Sequence, residues 1–358
     1  MYRILPLAVA LISFQLVGPF SLEGQTTWSG GSASDSNWLT DDNWVGAAPS
    51  GGSLVFTGTS RLDNVNNNTA DTEFTGIRFD DSGSTAGNFI LNSSGARIEL
   101  NGDIIVDTAT ASTQTIGLDL LLTGNLDLAV DVDSASADGS TLVISGDITD
   151  GSNDFSLTIA DALADTAGGT GVIILSGNNT YSGGTTIEEN TVRILTADSI
   201  GTMGITLLDG SGGSSEDPEL QLANGVVLTN DITISNTGAD KRLSLSSAGA
   251  QTGETAEFAG TITINETGNA NFEINAGGNI NNDTTQVLTL SGQITGSGPD
   301  TTEVAIRVTG GDGTIILSNT ANDFVGNIQL DQNGGTLRIV NDEALSNAEL
   351  ILNQTSSI

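Results

Sequence analysis

The chain contains no cysteine and no histidine, only nine lysines and arginines, and just 4% aromatic residues. Without cysteine there can be neither a disulfide framework nor a thiolate metal site. Without histidine the commonest metal ligand and the commonest general base are missing, which excludes Ser–His, Cys–His and His-metal chemistry. The nine cations face 44 acidic residues, for a net charge of −35. Nucleic-acid binding needs Lys and Arg to displace phosphate counterions, so nucleic acid is excluded as a partner. An anionic membrane surface is repelled for the same reason, whereas cations gather near such a chain, and calcium is the one cofactor this charge favours.

Long hydrophobic runs are also scarce. The stretch Ile4 to Val17, preceded by Arg3, is too short to span a bilayer comfortably and reads as the apolar region of a secretory signal peptide covering residues 1–24. No transmembrane segment is expected in the mature chain, and a secreted, extracellular or outer-membrane-surface location follows.

What is abundant is Gly, Asn, Asp, Ser and Thr, interleaved with short runs of Val, Ile and Leu. Alternating apolar runs recur throughout, among them Leu54 to Phe56, Ile98 to Leu100, Leu142 to Ile144, Val172 to Leu175, Ile232 to Ile234, Leu288 to Leu290 and Leu337 to Val340. Turn formers such as Asn101-Gly102, Ser145-Gly146 and Ser291-Gly292 separate them, which is the pattern of an all-β chain.

Repeats then select the architecture. Leu142-Val-Ile-Ser-Gly146 returns as Leu288-Thr-Leu-Ser-Gly292, and Gly171-Val-Ile-Ile-Leu-Ser176 returns as Gly313-Thr-Ile-Ile-Leu-Ser318. The register continues through Thr191-Val-Arg-Ile-Leu195 and Thr336-Leu-Arg-Ile-Val340. Strand–turn units too small to bury a face alone stack into solenoids, so a parallel β-helix is expected, with Asn side chains bonding along the axis at the turns. At ~20–30 residues per coil this means roughly 11 to 16 coils and a rod of roughly 55–80 Å. One or more β-sandwiches are the alternative for the same short strands.

The segment Leu175-Ser176-Gly177-Asn178-Asn179-Thr180-Tyr181-Ser182-Gly183-Gly184-Thr185-Thr186-Ile187 resembles the signature of the autotransporter-associated β-strand repeat family, close to LSGxNTYxGGTxI. A degenerate copy, Leu317 to Ile328, has Phe324 in place of Tyr181 and keeps only Gly326 of the glycine pair. The lead-in Trp28-Ser-Gly-Gly, Asn37-Trp38, Asn43-Trp44 and Leu54-Val-Phe56 is similar to that of large family members. The lysine that usually opens the signature strand is absent from Gly168-Gly-Thr-Gly-Val-Ile-Ile. This resemblance implies a secreted or surface-displayed passenger folded as a right-handed parallel β-helix, with no catalytic residue attached to the motif.

Residues 25–100 are therefore expected to form an N-terminal cap region with the first strands, and residues 101–358 a β-helix repeat region. No barrel translocator or sorting anchor is seen after the repeats, and Ile358 follows an incomplete repeat, so the region is expected to be truncated at its C-terminus.

Candidate sites are few. Arg61, Arg78, Arg97, Arg193, Lys241, Arg242, Arg307 and Arg338 are scattered along the sequence and read as solvated surface charges. The acidic pairs Asp41-Asp42, Asp80-Asp81, Asp131/Asp133 and Glu188-Glu189 are candidates for calcium, but no full calcium loop is present, and Gly310-Gly-Asp-Gly313 reads as a turn. Trp28, Trp38 and Trp44 are expected to plug the end of the helix, with stacking on sugar rings as the alternative. Tyr181 is expected to pack over the next rung while Gly183 and Gly184 permit positive φ or close backbone approach. The functional expectation is a structural or adhesive passenger without catalysis, meeting an extracellular polysaccharide or a cell-surface component. The alternatives are a polysaccharide lyase or hydrolase, marked by acids and a cation gathered on one face, and a calcium-dependent surface-layer component.

Overall fold

The computed structural model describes residues 24–352 apart from 82–86, 109, 133–138, 161–170, 209–216, 236–239, 247–251, 266–271, 277–284, 299–303, 309–312, 332–334 and 346–347. The proposed signal peptide, the Gly310 turn and Asp133 lie outside the described residues, Glu188 and Glu189 within them.

The described chain is a three-faced parallel β-helix. It passes from face 1 to face 2 to face 3 and back, as in the coil formed by Ser53–Phe56, Asp63–Asn66, Thr72–Phe74 and Gly76–Asp80. Face 1 is an eleven-stranded sheet from Gln25–Trp28 to Ile294–Ser297, and face 2 a twelve-stranded sheet from Asp63–Asn66 to Glu349–Leu352. Face 3 is divided into sheets of four strands and five strands. Among the described residues all strand pairings are parallel, the one antiparallel contact being the bridge between Trp28 and Trp44. The sandwich alternative required antiparallel pairs and is set aside. Twelve rungs at about 4.8 Å give a stack roughly 50–60 Å long, near the lower end of the expected range.

Local alternation builds this directly. In Thr141–Ile144 the side chains of Leu142 and Ile144 point inward and are buried, while Thr141 and Val143 face out. Successive rungs superimpose such residues, so that Leu142, Ile173, Val192, Leu220, Leu243 and Ile274 form one continuous inward column with no exposure. Each such side chain contributes roughly 1.5–3 kcal/mol of burial. No disulfide is required for a core this continuous.

Two features escaped the sequence pattern. The strand Asp63–Asn66 places Asn64 and Asn66 inward with no exposure; their amides are bonded, Asn64 Oδ1 accepting from Trp38 Nε1 at 2.7 Å and Asn66 Oδ1 from the Asn68 backbone N–H at 3.0 Å. The two long sequence copies are also not in the same rotational setting. Thr141–Ile144 lies on face 2, whereas its counterpart Val287–Leu290 lies on face 3, five full coils and one further face along. The copies are therefore related by a one-face rotation about the axis.

The cap occupies the start of the stack. Trp28 and Trp44 meet edge to face at 4.9 Å, Trp38 lies 6.1 Å from Trp44 and 5.7 Å from Phe56, and the Trp44 Nε1–H donates to the Trp38 carbonyl at 2.7 Å. Trp28 and Trp38 have no exposed surface and Trp44 only 4%. These indoles close the core and leave no ring face open to a sugar, so the stacking alternative is corrected by their burial.

Candidate functional site

The signature segment sits where face 3 is interrupted. In the coil before it, Ile148–Thr149 still pairs with Leu120–Leu122. In the next, the backbone of Asn179 to Tyr181 crosses face 3 without forming a strand, and one coil later a 3-10 turn, Ala197–Ile200, takes that position. The side chain of Asn179 carries the stack across this gap. Its Oδ1 accepts from the Ile148 backbone N–H at 2.8 Å and its Nδ2 donates to the Ser199 carbonyl at 2.5 Å. A side-chain amide thus stands in for a peptide group in the ladder, satisfying a donor below and an acceptor above.

Every neighbouring motif position has a structural task. Leu175 points into the core, and the Ser176 backbone N–H bonds Ile144 O at 3.0 Å. A Cβ at Gly177 would collide with the carbonyl of Gly146. The Asn178 backbone N–H is capped by Asp147 Oδ1 at 2.7 Å, and Asp147 N–H in turn by Asp119 Oδ1 at 2.9 Å, an axial ladder of side-chain acceptors at one corner. Thr180 N–H reaches Ile148 O at 2.9 Å. Tyr181 is fully buried, its hydroxyl 2.7 Å from Thr185 Oγ1, and its ring lies against Gly201 of the following coil. Burial raises the phenol well above its ordinary range, so it stays neutral. The glycines divide the expected roles: Gly184 takes φ +87°, while a Cβ on Gly183 would lie 2.5 Å from Asp154 O.

The second copy repeats the device on face 1. Asn322 Oδ1 accepts from Ile294 N–H at 2.8 Å and Asn322 Nδ2 donates to Ala344 O at 2.7 Å, beside the 3-10 turn Asp342–Leu345. The buried Tyr181–Thr185 polar pair is replaced by Phe324 and Ile328, both buried and apolar. The motif also shortens the coil: Leu175 pairs with Ile194, nineteen residues on, whereas Ile144 pairs with Leu175, thirty-one on.

The fold gathers or buries some of the scattered cations, and for Lys241, Arg242 and Arg307 the reading as separate solvated charges is corrected, whereas Arg338 stays exposed. Lys241 is fully buried. Arg242 and Arg307 stand on adjacent alternate rungs of face 2 with Glu219 and Glu273, in the column order Glu219, Arg242, Glu273, Arg307. Arg242 lies 2.7 Å from Glu273, 3.9 Å from Glu219 and 3.5 Å from Asp217, and Arg307 lies 3.3 Å from Glu273 and 3.8 Å from Asp240. Residues up to 90 positions apart form this cluster, because parallel stacking aligns them at about 4.8 Å. Burial raises the Asp217 carboxyl above its ordinary range, with Arg242 opposing the shift.

On face 1, Asp103 and Asp127 stand side by side one residue before the paired Ile104 and Leu128. Burial, then the neighbouring Asp127 charge, pushes Asp103 up to about 6. Burial likewise raises Asp127 and Glu188, the latter also through the Asp127 charge. Of the acidic pairs considered for calcium, Asp41 caps the Ala48 N–H at 2.9 Å and Asp80 lies 3.6 Å from Arg78. Among the described residues no three acidic side chains converge as a metal site would need, and no helix is long and apolar enough to cross a membrane.

Compared with protein-family models, with curated proteins and with solved structures, the chain matches none of them. The resemblance to the repeat family therefore rests on the motif residues of the sequence alone.

Proposed function

We propose that the protein is a secreted or surface-displayed passenger of the autotransporter-associated β-strand repeat type, a rigid acidic rod with a structural and adhesive role and no catalytic one. The observation carrying this reading is that the buried motif residues are consumed in building the stack: Asn179 bridges coils, Tyr181 and Thr185 pair in the core, and the glycines allow close approach. What remains for recognition is a long face of polar side chains and turns, suited to an extracellular polysaccharide or a cell-surface component.

The test has two parts. The chain, expressed with its own leader in a Gram-negative host, is expected outside the cytoplasm with its first ~24 residues removed. The purified rod, applied to a glycan array, is expected to bind selectively. A product retained in the cytoplasm, or a rod that binds neither glycans nor cells, sinks the proposal. A melt with and without millimolar calcium separates the surface-layer alternative, which requires a calcium-dependent rise in melting temperature.

One observation favours a second reading, a polysaccharide-active enzyme. Asp217, Glu219, Asp240 and Glu273 gather with Arg242 and Arg307 on one face, the acid-plus-cation arrangement such an enzyme would use. Release of reducing ends or unsaturated products from a polysaccharide panel, abolished by Glu273→Gln, would establish it over the passenger reading.

A further inference from the structure

We infer that face 2 is the contact surface of a two-fold symmetric dimer of this chain, with the two helix axes antiparallel. This goes beyond the passenger reading and does not depend on it. The argument starts from one outward column of face 2, in which parallel register superimposes Val172, Thr191, Glu219, Arg242, Glu273, Arg307, Gln329 and Ile351 on successive rungs.

That column is self-complementary when reversed. A two-fold axis parallel to the strands, midway between Lys241–Leu245 and Phe272–Asn275, sets each column against its own reversed copy. Arg242 then faces Glu273 of the second copy and Glu219 faces its Arg307. Thr191 faces Gln329, polar against polar, and Val172 faces Ile351, apolar against apolar. Each relation occurs twice by symmetry, as an isologous contact requires. In the next column of the same face, Arg193 meets Asp331 and Ser244 meets Asn275. Two flat sheets packed about 10 Å apart with strands aligned can bring these side chains together. Arg242 and Arg307 keep 28% and 29% of their side chains exposed, Glu219 12% and Glu273 8%.

Charge explains why this face serves and others do not. A chain of net charge −35 repels its copies through most approaches. Face 2 carries Arg193, Arg242 and Arg307, three of only nine basic residues, the latter two alternating with Glu219 and Glu273. At ~0.15 M salt the Debye length of about 8 Å screens the distant repulsion more than contact pairs. The N-terminal end is closed by buried tryptophans, which blocks head-to-tail stacking there and leaves side-by-side association through a face.

The experiment is sedimentation velocity on the full chain at ~0.15 M salt, up to about 100 µM. Wild type is expected to show a concentration-dependent dimer. Val172→Lys alone and Ile351→Glu alone should each raise the dissociation constant at least about tenfold. Val172→Lys combined with Ile351→Glu should return it close to wild type. Within one chain these residues lie seven rungs apart, roughly 34 Å at about 4.8 Å per rung, so rescue can arise only across a reversed second copy. Both face outward and are half-buried, and circular dichroism checks that each variant is folded. Exchanging Arg193→Glu with Asp331→Arg repeats the test at a second pair. A wild-type monomer throughout, or double variants no tighter than the single ones, would overturn the inference.

Discussion

Replacing Asn179 with alanine should injure this fold by cutting the side-chain bridge that carries the stack across the interrupted face. The side chain is 2% exposed and bonds the Ile148 N–H and the Ser199 carbonyl. Alanine leaves one buried donor and one buried acceptor without partners on a face that has no strand to replace them. At about 1–3 kcal/mol for each of the two unsatisfied groups, the loss should be roughly 2–6 kcal/mol. The neighbouring Asn178 is the internal control: it contributes its backbone N–H to Asp147 and its side chain is exposed. Asn178→Ala should therefore stay within about 0.5 kcal/mol of wild type. Urea unfolding followed by circular dichroism compares the two. Because a solenoid can open locally, hydrogen exchange at the Ile148 amide should accelerate in Asn179→Ala even if the far coils stay closed. Equal midpoints for the two variants, with the Ile148 amide still protected, would refute the reasoning.

Four further outcomes are expected. Asp103, Asp127 and Glu188 have folded-state pKa values raised by burial, Asp103 to about 6. A carboxyl raised in the folded state stabilises most when protonated, so its contribution is lost as pH rises from about 4 through 6. The melting temperature of Asp103→Asn should accordingly exceed that of wild type at pH 7.5, and the gap should close as pH falls below about 4; equal temperatures at pH 7.5 would contradict this. Trp38→Ala removes a fully buried indole and its bond to Asn64, and should cost about 3–5 kcal/mol in a denaturant titration. Gly201→Ala places a Cβ 2.6 Å from the Tyr181 ring at φ +76°, whereas Gly225→Ala meets only open space at φ +81°; the first should lower the melting temperature clearly more than the second, which carries only the backbone strain of about 1 kcal/mol. Tyr181→Phe should cost about 1 kcal/mol for the lost Thr185 bond, and adding Thr185→Ile, the pairing used by Phe324 and Ile328, should recover part of it in the same melt.

Composition and period alone determined that this chain is a stack of short strands. With no cysteine or histidine and few cations, it could rely only on backbone pairing and aliphatic burial, and alternation such as Leu142-Val-Ile144 names the inward residues because side chains on a strand alternate strictly. The motif Leu175 to Thr185 likewise marked the place where the stack is specialised. What alternation cannot express is which rung lies beside which. Asp63–Asn66 was illegible as a strand because its inward residues are asparagines, acceptable in a core only once Trp38 and Asn68 arrive to bond them. The partnership of Asn179 with Ile148 and Ser199 spans separations of 31 and 20 residues. The column Glu219, Arg242, Glu273, Arg307 is invisible in sequence for a related reason. Coils vary from nineteen residues to more than thirty, so no fixed spacing links its members. Only parallel register, which ignores coil length and aligns strands at a constant pitch, gathers those scattered charges on one face and turns the second sequence copy by one face about the axis.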